Sequence, residues 1–180
     1  MTRLLTVVSY MLLLNLGFAQ IEDLETSEIE EIGAYTVIYS IDPITDRNDS
    51  YMLQLNDEEA GALAVHCNLE APVTGFEIGV LLLSDLERFN DISSARVDFR
   101  IDDEPPVLDS VWGIAHDFGG VGVFNFVFMP PWEQLMFVEA AEANEEVVIR
   151  IYDEANVQHD FFFSLDGFSE ALDSMNCWNP

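Results

Sequence analysis

The chain has 180 residues, 49% of them hydrophobic and 13 of them phenylalanine, enough apolar matter for one folded core and too much for a disordered chain. It carries 34 acidic residues against six basic ones, all arginine, for a formal net charge of −28. A field of that sign repels nucleic acid and anionic lipid surfaces, and it attracts cations and basic proteins.

Arg3 precedes an uncharged run from Leu4 to Phe18, which exits through Gly17-Phe18-Ala19. Residues 1–19 therefore read as a secretory signal peptide cut after Ala19. Ser9 and Asn15 interrupt the run, and it falls short of the roughly 20 apolar residues a spanning anchor needs. No later segment is long and apolar enough to span, so the expectation is a periplasmic or secreted protein. Residues 20–33 are acid-rich and read as a solvated leader or a short helix ended by Gly33. A single domain is expected over 34–180.

Strand signals follow. Tyr35, Val37, Tyr39 and Ile41 alternate, and Asp42 to Asp49 is turn chemistry. Ser50–Asn56 resumes a strand with Tyr51, Leu53 and Leu55 on one face, completing a hairpin. Ala62–Asn68 sets Leu63, Val65 and Cys67 on one face, and Gly75–Leu83 is an apolar strand. Ala95–Ile101 alternates most cleanly, with Ala95, Val97, Phe99 and Ile101 facing in. Val107–Ala115 carries Trp112, and Val121–Phe128 sets Phe124, Phe126 and Phe128 on one face expected to be core.

Pro130-Pro131 opens a helix on which Trp132, Leu135, Met136, Ala140 and Ala143 share an apolar face, with Glu133 and Glu142 off it. Glu145–Tyr152 and Gln158–Ser164 are strands. Asp166 is placed to cap a last helix on which Phe168, Ala171, Leu172 and Met175 follow the helical repeat. Eight or nine short strands separated by turns, with two short helices, predict a mainly β protein, an antiparallel β-sandwich.

Cys67 and Cys177 are the only cysteines, and an even count in an exported chain favours a disulfide between them. Asp42, Asp46 and Asp49 cluster at one turn, which reads as structural, with weak cation binding as the lesser reading because an EF-type ligand pattern is absent. His66, His116 and His159 have no metal-ligand spacing. No nucleophile motif stands out. A carboxylate pair for glycoside hydrolysis can always be drawn from 34 acids, which gives it no specificity. No catalytic residue, metal or cofactor is expected. The acidity reads as solubility in saline surroundings or as an acidic docking surface.

Several segments, in order, resemble the VasI-like family of small exported bacterial proteins associated with type VI secretion. Tyr39 to Asp46, with Asp42, Pro43, Thr45 and Asp46, is similar to that family's strand and D-P-x-T-D turn. Leu63-Ala64-Val65-His66-Cys67 resembles its next strand, and Val97 to Asp102 followed by Trp112 its V-x-[YF]-R-x-D segment. Ser164 to Leu172, with Cys177, resembles its closing L-x-G-F-x-x-A-L…C. The resemblance implies a non-enzymatic accessory protein of the cell envelope that acts through protein partners. The competing expectation is an extracellular sandwich that binds cations or glycans.

Overall fold

The computed structural model describes residues 28–41, 48–56, 60–68, 75–83, 86–89, 91–116 and 125–177. The signal peptide at 1–19, most of the acidic leader, Phe124 and the turn residues Asp42, Pro43, Thr45 and Asp46 lie outside them. The protein is mainly β, with ten strands in one antiparallel sheet. In chain order they are β1 (Glu28–Ile32), β2 (Tyr35–Tyr39), β3 (Tyr51–Leu55), β4 (Gly61–Cys67), β5 (Phe76–Leu82), β6 (Ser94–Ile101), β7 (Val107–His116), β8 (Asn125–Phe128), β9 (Glu146–Tyr152) and β10 (Gln158–Ser164). A short 3-10 helix, Leu86–Phe89, follows β5; α1 (Pro131–Ala141) follows β8, and α2 (Phe168–Met175) closes the described fold.

The spatial order is β1-β2-β3-β4-β5-β8-β7-β6-β9-β10, so β1 and β10 are the edges. A sheet this wide curls under its own twist. The curl brings β4 against β10: a Cβ built on Gly61 would lie 2.7 Å from the Phe161 ring. The Ala34 N–H donates to the Asp166 carbonyl at 3.0 Å, and the Tyr35 hydroxyl donates to the Ser164 carbonyl at 2.7 Å. The β1–β2 turn is thereby fastened to the end of β10. Gly33 and Gly167 meet there, both with positive φ, and a Cβ on Gly167 would lie 2.8 Å from the Gly33 Cα.

The inner face collects one core from every strand and both helices. β6 supplies Ala95, Val97, Phe99 and Ile101, all buried as its alternation predicts. α2 buries Phe168, Ala171, Leu172 and Met175, again as its spacing predicts. Its N-cap is Gly167 in the left-handed region rather than Asp166, and no side chain caps it. On β3 the main-core residue is Met52; Leu53 and Leu55 point to the other face.

That other face has a smaller cluster of Ala62, Ala64, Leu81 and Phe126, with Phe128 against it. Phe126 is buried as expected, but the main core on β8 is reached by Val127 instead. Phe128 lies between Gly79 of β5 and Gly113 of β7 in one cross-strand row. A Cβ on Gly113 would run into the Phe128 ring, and one on Gly79 would run into the β8 backbone at Val127, so Gly113 leaves room for the ring and Gly79 for the close approach of β8.

The tenth strand is β1. Glu28–Ile32 is a strand paired with β2 through a two-residue turn at Gly33-Ala34, not a helix. Its three glutamates leave the edge charged, which discourages pairing with another sheet.

A candidate interaction site on the first long helix

The two cysteines named from sequence come together. Cys67 and Cys177 form a disulfide with Cα atoms 5.2 Å apart, joining β4 to the second residue after α2 across 110 positions. Closing a loop of that length contributes on the order of 4–5 kcal/mol in the chain-entropy account. The Asn48 amide donates to the Met175 carbonyl at 2.7 Å, a second tie between the second hairpin and the end of α2.

The histidines stay apart. His66 stacks on Tyr51 with ring centroids 4.4 Å apart. His116 lies between the Asn125 side chain and the Ile92 carbonyl. His159 contacts the Asp153 carboxylate at 3.2 Å. Among the described residues, no three of His, Cys, Asp and Glu converge to hold a metal ion.

Asp153 begins the β9–β10 turn with its side chain only 1% exposed. Burial pushes its carboxyl up, but the Val157 N–H at 2.8 Å, His159 and the Ala155 N–H outweigh that, and its pKa lies below the ordinary carboxylate value. Arg88 stands 3.5 Å away. Asp160 pairs instead with Arg150 through bonds of 2.6 and 2.8 Å, and that guanidinium holds its carboxyl low. These pairs staple strands and turns; neither offers a nucleophile.

Burial, with the Asp166 carboxylate second, pushes the Tyr35 hydroxyl well above the ordinary tyrosine value, so it remains a donor to Ser164. Next to this tie, between β3, the end of α1, β10 and the start of α2, runs a groove of about 760 Å³. Glu142, Glu145, Glu146, Asp166 and Glu170 line it, with Phe162 among the apolar residues and no histidine or arginine. It offers carboxylates and amides but no activated nucleophile.

α1 reverses its expected orientation. Trp132, Leu135 and Met136, the residues expected to face the sheet, are 59%, 42% and 51% exposed. Glu133, Gln134, Phe137 and Ala141 are buried in their place. Glu133 is the decisive residue. One carboxylate oxygen accepts a bond from the Ser110 hydroxyl, and the other accepts from the Trp112 indole N–H at 2.8 Å. The Gln134 amide donates to the Met129 carbonyl at 2.7 Å, and the Phe137 ring packs 5.5 Å from Phe168. Buried polar groups need partners, so these bonds fix the rotation of the helix on β7. The apolar residues of α1 are spread around the whole helix, and periodicity alone could not choose its buried face. The only local sign was a glutamate one residue after a proline pair and a tryptophan.

No protein-family model matches the chain, and no curated protein matches it. Among solved structures it is similar to invasion associated protein B from Bartonella henselae. The identity is 18%, covering 84% of this chain and 97% of that one, with a TM-score of 0.52. At that identity the likeness establishes a shared fold.

Proposed function

We propose that this is an exported accessory protein of the cell envelope or the extracellular space, that it works by binding another protein, and that it does no catalysis. The VasI-like resemblance belongs to the same reading. One observation carries it: α1 keeps Trp132, Leu135 and Met136 in solvent while a buried carboxylate pins its other face. Tryptophan and methionine are enriched at protein interfaces, and tryptophan dominates their binding energy. The disulfide suits an oxidising compartment such as the periplasm or the exterior. No described helix is long and apolar enough to cross a membrane. A solved protein with this fold is described as invasion associated, and an accessory role suits this chain too.

The test is a photoreactive residue at Leu135 in the exporting host, with the same residue at Val157 in the β9–β10 turn as control. One dominant protein is expected to crosslink from position 135 and not from 157. No crosslink from 135, together with free thiols at Cys67 and Cys177 in recovered material, would overturn both the binding role and the export.

A further inference from the structure

We infer that α1 docks a basic amphipathic segment of another protein. Its apolar side rests on Trp132, Leu135 and Met136, and its cations meet the carboxylates that follow them. This rests on the reading that the protein works through protein contacts, and it states what the partner must look like.

The helix and the strand after it are polarised along their length. The first turns present the apolar stripe, and then Glu139, Glu142, Glu145 and Glu146 come in succession, all exposed. Ten residues of helical rise, about 15 Å, separate Trp132 from Glu142. The last turn of α1 carries no basic residue. Carboxylates there face the negative end of the helix dipole, an arrangement that is unfavourable by itself and that a partner's cation relieves. Asp102 adds a further acid at this end, accepting the N–H groups of Glu145 and Glu146, each at 2.8 Å. The four described arginines lie on the 3-10 helix, β6 and β9, and Arg150 is held by Asp160. None is on α1.

Charge also sorts the other occupants. A second copy would bring a chain of net charge −28 against its equal. An anionic bilayer meets the same repulsion. A basic helix with one apolar face satisfies both halves of the surface at once, in the helix-on-apolar-face manner of amphipathic recognition.

The probe is a fourteen-residue helical peptide of leucine and lysine, patterned with one apolar face, titrated into the full chain. Its counterpart has glutamate in place of lysine. With Trp178 replaced by phenylalanine in every protein compared, Trp132 is a built-in reporter, because Trp112 is already fully buried. The lysine peptide is expected to shift tryptophan emission to the blue and to bind at least tenfold more tightly than the glutamate peptide. Rising sodium chloride should weaken it. Leu135→Ser with Met136→Ser should weaken it at least tenfold without changing the melting temperature, and Val157→Ser should not.

Equal affinity for both peptides would overturn the inference. So would full affinity in the Leu135→Ser, Met136→Ser variant, self-association that this variant abolishes, or tighter binding to phosphatidylglycerol vesicles than to the lysine peptide. The crosslink from position 135 then decides separately whether the wider reading stands.

Discussion

Glu133 shows how one residue sets a surface. Its side chain is removed from water, with no cation paired to it among the described residues, and it accepts bonds from Ser110 and Trp112. Removing a buried acceptor leaves its donors unsatisfied, which costs more than the bonds are worth net. Glu133→Ala should therefore destabilise the protein by about 2–4 kcal/mol, and Glu133→Gln by less, since one oxygen still accepts. Urea unfolding with an unchanged slope and a lowered midpoint is the check. Asp153 makes a pH-dependent contribution. Its folded pKa is below the unfolded value of about 3.9, so its stabilisation is present above that pH and lost as pH falls through the lower folded value. Wild type should be more stable than Asp153→Asn at pH 6, and the gap should narrow as pH falls below about 3.9. Melting curves of both proteins across that range test it; a constant gap would refute it.

At the scale of elements, α1 and β1 depart furthest from their local patterns. Phe137 is fully buried among aromatic rings while Trp132 is mostly exposed. Phe137→Ala should cost about 3–5 kcal/mol. Trp132→Ser should stay within about 0.5 kcal/mol, although tryptophan is the larger side chain. Equal losses in thermal unfolding would mean that the helix is rotated from the arrangement described. β1 is held by its pairing with β2 and by bonds such as the Tyr39 hydroxyl to Glu30 at 2.8 Å. Its own residues say little about strand formation, because three of five are glutamate. The Gly33-Ala34 pair between Ile32 and Tyr35 was the usable signal, a two-residue turn between potential strands.

For the molecule as a whole, the charge is the dominant physical fact. With 34 acids and six arginines, many carboxylates sit within a Debye length of one another, about 8 Å at physiological salt. Their repulsion destabilises the compact state, and salt screens it. The melting temperature should rise as sodium chloride goes from low to about molar concentration. A specific calcium site would behave otherwise, with a gain at low calcium that sodium at equal ionic strength cannot reproduce. No response to either salt would mean the acids are well dispersed. The few arginines are used locally: Arg150 holds Asp160 by two bonds, and Arg96 lies 3.7 Å over the Tyr152 ring.

The sequence by itself determined the fold class and nine of the ten strands, through alternation or apolar runs bounded by turn residues, and the facing of β6 and α2, because in those two a single periodicity dominates and burial follows it. It also determined the pairing of Cys67 with Cys177, because only two cysteines were available. Tertiary structure alone decided which way α1 faces. That choice turned on an acceptor for Ser110 and Trp112, which are more than twenty positions away from Glu133 in sequence yet adjacent in space. It likewise decided that β1 joins the sheet, that the sheet curls to fasten Ala34 to Asp166, and that the apolar stripe at Trp132 meets water. Pairing and polar satisfaction across the chain are long-range conditions, and local spacing does not carry them.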